Sequence, residues 1–208
     1  ETWLPENVTF SSGGGSSEPI DDVRVVSNRS SGRMAIALAE SAFAMGADVD
    51  LWLGNANYEC GNWIQTTRFE ALSKLKSLVK SMKRYDAVIV PAALSDFIPE
   101  QAKGKLDSAK PITLKMKKAP KIINSIRKKH KGLLYVFKLG ARISEKELLE
   151  KARVLLKSAN CVIANSSKSM GSEKSKVAIV DKKNTEWISG SKVEISENIL
   201  DRIASELN

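Results

Sequence analysis

Apolar residues in this chain alternate between two arrangements: short unbroken runs, and longer stretches in which they recur every third or fourth position. Ala87-Val88-Ile89-Val90 runs directly into Pro91, as expected of a strand buried on both faces of a parallel sheet. Val49-Asp50-Leu51-Trp52-Leu53 before Gly54, residues 133–139 and Cys161-Val162-Ile163-Ala164 read the same way. Val8-Thr9-Phe10 reads as a short strand entering a glycine- and serine-rich loop at 11–17. Between the runs, residues 34–45 are alanine-rich with helical spacing and close at Gly46. Residues 69–82 place Leu72, Leu75, Leu78, Val79 and Met82 on one helical stripe. Pro120 can open a helix continuing to about His130, and Ser144 with Glu147 three residues on caps another over 144–157. Residues 112–116 alternate as a strand would, 177–180 and 186–188 form a late hairpin across Lys183-Asn184, and 195–207 closes the chain as a helix. Strand–helix units repeated at this length predict one α/β domain over 1–208. It is a three-layer α/β/α Rossmann-like sandwich with a mainly parallel sheet and a small late hairpin.

Composition narrows the function classes. The 208 residues are 42% hydrophobic and 27% charged, as in ordinary globular proteins. Cys60 and Cys161 stand far apart with no CxxC pair, which excludes a disulfide framework and argues against structural zinc. A reducing cytoplasm is therefore the expected compartment. Cys161, inside an apolar run, reads as a small buried hydrophobe. No apolar stretch reaches membrane-spanning length, and no signal-peptide pattern opens the sequence. The net charge of +9 suits a polyanionic partner. The basic residues are not interleaved with aromatics, which favours a nucleotide and a phosphorylated small molecule over nucleic acid.

In a doubly wound sheet, ligands sit beyond the carboxyl ends of the strands, so the loops there carry the candidate chemistry. Ser11-Ser12-Gly13-Gly14-Gly15-Ser16 is small enough for backbone N–H groups to approach a phosphate. It matches neither GxGxxG nor GxxxxGK[ST]. Ser30, Ser31 and Gly32 fall where a helix begins, with Arg24 and Asn28 shortly before. The alternative there is Ser31 acting only as a helix cap. Val90 ends the most buried strand and Pro91, Ala92 and Asp96 follow it; the alanines leave room for a flat ring, and Asp96 can accept a hydrogen bond, help hold Mg²⁺, or merely cap a turn. The lysines from Lys103 to Lys121 are mostly a solvated face, with one or two able to neutralise a triphosphate. His130, the only histidine, is expected on a solvated helix end, so imidazole catalysis is not anticipated. Positioning and charge neutralisation remain, a chemistry suited to nucleotidyl transfer onto a carboxylate.

The segments 13–24, 27–34 and 92–97, followed by Gly104-Lys105-Leu106, 114–123, Phe137-Lys138-Leu139 and Val162-Ile163-Ala164-Asn165, resemble the phosphopantothenoylcysteine synthetase family in order and over nearly the whole chain. The resemblance implies a phosphopantothenate–cysteine ligase of coenzyme A biosynthesis. Such an enzyme forms an acyl-nucleotidylate from 4′-phosphopantothenate and CTP or ATP with Mg²⁺, releases pyrophosphate, and transfers the acyl group to L-cysteine. It implies that Asn28 handles the acyl-nucleotidylate, Arg24 orders the substrate, and Lys105 meets the triphosphate from a mobile loop. Gly13, Gly14, Ser30, Ser31, Gly32, Val90, Pro91, Ala92, Asp96, Pro120, Lys121, Ile122, Ile123, Phe137, Arg153 and Lys157 become nucleotide-site positions, and a homodimer joined by a strap after the Asp96 loop is implied as well. Ala119-Pro120-Lys121 departs from the Asn-Pro-Asp of many bacterial members, which shifts expectation toward relaxed or ATP-leaning selectivity. Relatives are often fused behind a flavin-dependent decarboxylase, and no decarboxylation is expected of these residues. A nicotinamide-dependent reductase on a Rossmann-like sheet is the second reading from fold alone.

Overall fold

The computed structural model describes residues 9–166 and 174–208; Val8 lies outside them. Eight strands form one sheet in the order β12-β11-β10-β9-β6-β1-β4-β5. The strands are β1 (Thr9–Gly13), β4 (Val49–Leu53), β5 (Gln65–Arg68), β6 (Ala87–Val90), β9 (Leu133–Gly140), β10 (Cys161–Ser166), β11 (Lys174–Val180) and β12 (Thr185–Ser191). From β5 through β10 every pairing is parallel, while β11 and β12 are antiparallel. The result is a mainly parallel Rossmann-like sheet, as the alternating pattern predicts. The late hairpin is not a separate unit but the sheet's edge, because β11 pairs with β10.

Helices cover both faces. Helices α1 (Arg33–Ala44) and α5 (Lys192–Leu207) lie on one face, packing Leu38, Ala39, Ala42, Ile199, Leu200 and Ile203 over Leu51, Leu53, Ile89 and Ile163. Helices α2 (Leu72–Lys80), α3 (Ile122–Lys129) and α4 (Glu145–Leu155) cover the other, packing Leu75, Val79, Ile126 and Leu148 on Val88, Leu134, Val136 and Val162. All four residues of β6 are buried, which is why its sequence does not alternate. The alanine-rich face of α1 has a steric origin. A Cβ on Gly13 would stand 1.9 Å from the Ala35 Cβ, so the first helix rests almost directly on the end of the first strand.

Caps fix the helix starts. Ser144 accepts from the Glu147 N–H at the head of α4. Ser191 and Glu194 form a reciprocal capping box at α5, which starts the last helix three residues before its apolar stripe does. Cys161 is buried, and burial raises its thiol to about 12; it packs as a hydrophobe.

Several expectations change. Strand β1 continues to Gly13, into the stretch expected to be loop, because its backbone pairs with β4 along that length. Residues 112–115 are not a strand. The alternating stretch contributes only Met116 to β8 (Met116–Lys118), which pairs with β7 (Phe97–Pro99) outside the main sheet. Two strands unannounced by the hydrophobic pattern, β2 (Ser17–Pro19) and β3 (Val25–Ser27), form a small antiparallel hairpin.

His130 is 4% exposed rather than solvated, and its Nε2 lies 2.8 Å from the Leu133 carbonyl oxygen. It ends α3 at the amino-terminal side of β9. Burial is the main cause that lowers its pKa. The unfolded chain therefore takes up a proton that the native imidazole resists, so stability is full above about pH 6.5 and falls with pH through the native pKa. Since the chain has one histidine, the melting temperature should drop between about pH 7 and the native pKa, and His130→Gln should flatten that slope. Parallel profiles for the two proteins would show that the imidazole is not the cause.

Candidate functional site

The chain places β4 and then β5 on one side of β1 before returning to lay β6 on the other. Connections leaving β1 and β6 therefore diverge, opening a crevice at the carboxyl ends of those strands. The loop after β1 is stitched to both walls. Gly54 N–H donates to the Gly13 oxygen at 2.9 Å, Gly15 and Asn55 exchange two bonds of 2.8 Å, and Ala93 N–H donates to the Gly14 oxygen at 2.9 Å. Buried Ser16 continues the seam. Its hydroxyl lies 2.9 Å from the Ser95 hydroxyl and accepts the Ser95 N–H at 3.0 Å. Ser27 closes it by donating to the Ser16 carbonyl at 2.9 Å.

Asn28 leaves this seam with a defined orientation. Its Nδ2 donates to the carbonyl oxygens of Ala93 at 3.2 Å and Leu94 at 3.0 Å. Only the nitrogen end of an amide can face two carbonyls, so Oδ1 points away from them and has no donor among the described residues. The side chain is exposed.

Gly32, not Ser31, is the N-cap of α1, at φ 76°, a left-handed backbone that favours glycine; no side chain caps the helix and no acid lies in its first turn. Ser31 instead accepts the Asn57 N–H on its carbonyl at 3.2 Å. Ser30, Ser31 and Gly32 thus lead into a helix start whose leading N–H groups lack a side-chain acceptor, a positive end beside the β1 loop.

Across the crevice, Val90 ends β6 and Pro91 and Ala92 are half-buried. Asp96 is not a cap. Its backbone oxygen accepts Ala119 N–H at 2.8 Å, and its exposed carboxylate meets the Lys121 Nζ at 2.5 Å. Pro120 and Lys121 lead into α3, whose Ile122 is buried and Ile123 half-buried. Phe137, near the carboxyl end of β9, packs at the edge of the core on the α1–α5 face.

Arg24 and Lys105 sit together away from Asn28, at the tip of the β2–β3 hairpin. Asp21 is buried and accepts backbone N–H groups from Leu106, Val23 and Arg24 at 3.0, 2.8 and 2.7 Å. The Leu106 bond is the first cause holding this carboxyl below its usual range. Arg24 binds Asp21 Oδ2 at 2.8 Å and the Leu106 oxygen at 3.2–3.3 Å. Gly104 N–H donates to Asp22 at 3.0 Å. The guanidinium therefore tethers the loop carrying Lys105 rather than aiming with Asn28, and the extended backbone separates Arg24 from Asn28 by roughly 13 Å, four steps of about 3.3 Å.

Arg153 and Lys157 are not brought to the crevice. Arg153 is exposed in the last turn of α4, and Lys157 lies beyond that helix. Lys157 lines a cavity of about 580 Å³ with Arg127, Asn160, Asp181 and Arg202, at the opposite rim of the sheet. Sequence reading missed Glu18, which is buried and accepts the Leu72 N–H at 3.1 Å at the start of α2. It also missed Tyr58, whose ring lies 5.2 Å from the Arg33 guanidinium. An acid directly after the glycine- and serine-rich stretch was the available signal for the first; nothing in spacing announces the second.

Similarity to known proteins extends over nearly the whole chain. The coenzyme A biosynthesis bifunctional protein CoaBC of Methanocaldococcus jannaschii is 38% identical over 198 residues, covering 91% of this chain and 48% of that protein. The chain thus spans about half the length of the curated relatives it matches. The crystal structure of the C-terminal domain of a CoaBC superposes with a TM-score of 0.81 at 25% identity, over 100% of this chain and 98% of that one. A Cab2 variant in complex with phosphopantothenate-cysteine shares the fold at a TM-score of 0.78 and 17% identity, over 97% and 86% of the two chains. A family model described as the DNA/pantothenate metabolism flavoprotein C-terminal domain matches residues 6–207; that span takes in every strand of the sheet and every loop of the crevice, and the chain belongs to this family.

Proposed function

We propose that this chain is a phosphopantothenate–cysteine ligase, working through an acyl-nucleotidylate. The observation that carries the reading is the fixed amide of Asn28, nitrogen turned to the Ala93 and Leu94 carbonyls, beside an uncapped helix start that favours anions. Relatives named for coenzyme A biosynthesis and a protein of this fold holding phosphopantothenate-cysteine support it. In the first step a substrate carboxylate oxygen attacks the α-phosphorus of a nucleoside triphosphate, and pyrophosphate leaves with the bonding electrons. In the second, the cysteine amine attacks the acyl carbon, loses a proton, and expels the nucleoside monophosphate.

No imidazole serves this crevice, because His130 closes α3 at the other end of the sheet. Asn28 can neither donate nor take up a proton outright at neutral pH. Its Oδ1 accepts a hydrogen bond from the incoming amine and aims the nitrogen lone pair at the acyl carbon, a contribution of orientation. The free N–H groups of α1 receive a phosphoryl group, and Lys105 neutralises charge that grows as pyrophosphate departs. The residues present do not fit a dedicated magnesium cage. Among the described residues no group of three His, Cys, Asp or Glu comes together, and the crevice carboxylate Asp96 is held by Lys121. Mg²⁺ is proposed to accompany the triphosphate oxygens.

Incubating the protein with 4′-phosphopantothenate, cysteine and either CTP or ATP should release pyrophosphate only when the acid is present. Absence of such release with both nucleotides would reject the ligase reading. Lys121, paired here with Asp96, stands where the family resemblance sets an acid in many bacterial members, and we expect comparable kcat/KM for the two triphosphates or a lean toward ATP. A CTP preference above about 10²-fold, roughly 2.7 kcal/mol, is the opposite result.

Lys105→Gln should slow pyrophosphate release by about 10²-fold, the usual loss for one charge-stabilising group; an unchanged single-turnover rate removes Lys105 from the first step. Asn28→Asp sets a carboxylate against the Ala93 and Leu94 carbonyls and should displace the side chain. We expect a pyrophosphate burst to persist while transfer to cysteine falls about 10²-fold, so that rapid quench and mass spectrometry find accumulated acyl-nucleotide. Loss of the burst with nucleotide binding intact would move Asn28 to the activation step instead.

A further inference from the structure

On the α1–α5 face, the two helices begin at the same end of the sheet as the crevice. Their first turns are joined through Ser196, whose hydroxyl donates to the Lys192 carbonyl at 2.7 Å and lies 3.8 Å from the Met34 sulfur. Each helix opens with a cation, Arg33 in α1 and Lys192 in α5. Neither has an acidic partner among the described residues. Arg33 rests over the Tyr58 ring, and the Lys192 ammonium donates to the hydroxyl of buried Ser175. The neighbouring acid, Glu194, is committed to its own cap, accepting the Ser191 N–H at 2.7 Å. Lys192 is half-buried. Its pKa is lowered first by burial and then by the Arg33 charge; the Ser196–Met34 contact holds the two helix starts side by side.

Two cations at adjoining helix starts, one of them partly withdrawn from water and neither paired with an acid among the described residues, form a place where an anion can join both. The Tyr58 ring and the Ser175 hydroxyl orient these side chains without neutralising them. Phe137 lies on this same face, as does the uncapped start of α1.

We propose that Arg33 and Lys192 together bind a phosphoryl dianion of a crevice ligand. Two sources share that chemistry: the triphosphate tail of the nucleotide, and the phosphate monoester at the far end of the acid substrate. The proposal rests on the ligase reading only for the identity of these ligands; the anion site itself stands on the two cation-bearing helix starts that meet through Ser196.

The test is calorimetric titration of the full chain and its Arg33→Gln, Lys192→Gln and Lys192→Arg variants. The titrants are inorganic pyrophosphate, the accepted triphosphate, 4′-phosphopantothenate and pantothenate. We expect each glutamine variant to weaken at least one phosphorylated ligand about 10-fold or more, the scale of one charge-assisted bond. Lys192→Arg should restore most of that loss, and binding of pantothenate should not change. Loss confined to pyrophosphate and nucleotide assigns the site to the triphosphate, and loss confined to 4′-phosphopantothenate assigns it to the monoester. Unchanged affinities for every phosphorylated ligand in both glutamine variants overturn the proposal. Arg33 sits half-exposed at a helix start, so its variant remains informative if replacing Lys192 unfolds the protein. A protein that binds pyrophosphate through this pair yet releases none in the assay keeps the site and loses the ligase reading.

Discussion

The strand that begins the sheet must end in a loop able to hydrogen-bond left and right at once. Gly13, Gly14 and Gly15 bond to Gly54, Asn55 and Ala93 on opposite sides, while α1 rests on Gly13 with no room for a side chain between. Every other feature of the crevice hangs from that seam. Ser16 reaches Ser95 from it, the β2–β3 hairpin leaves from it, and the returning strand delivers Asn28 against the carbonyls of the facing loop. A rigid polar surface is built in this way from backbone groups whose partners are already satisfied. The few groups left over, the leading N–H groups of α1 and the Asn28 oxygen, are then available to a ligand.

Charge is arranged to match. Lys121 borders the crevice, and Lys105, Arg33 and Lys192 are the cations proposed to act toward it, whereas the described carboxylates near it are occupied. Asp21 is surrounded by backbone N–H groups and Arg24, Glu18 caps α2, and Asp96 faces Lys121. A surface with its acids already engaged presents a net positive field to incoming phosphates. The same chain keeps its single imidazole and its Cys161 thiol buried at other places, away from the crevice.

The central strands and the helices were readable because burial writes itself into the sequence as runs and stripes. Residues 87–90 and 49–53 match their strands in full, and Ser144 with Glu147 marks a true helix start. Positions decided by tertiary contact were not readable. Nothing local distinguishes a histidine at a solvated helix end from His130, tucked against Leu133. The serines before α1 suggest a cap, but the backbone turns at Gly32 instead. Residue type and family resemblance both pointed to Asn28 and the glycine loop as candidates. Neither could say that Arg24 would face Asp21, or that Lys157 would fall at the opposite rim. Lys192 was invisible because its significance lies in its distance from Arg33, residues far apart in the chain.

The tether at the hairpin tip has a mechanical consequence. Asn28 follows directly on the last residue of β3, and the other end of that hairpin is clamped to the segment bearing Lys105 through Asp21, Asp22 and Arg24. A two-stranded ribbon this short transmits displacement along its length instead of absorbing it. Under the proposed reaction, drawing Lys105 toward a triphosphate would pull on the same lever that sets the Asn28 amide, making arrival of the first substrate and alignment for the second parts of one movement.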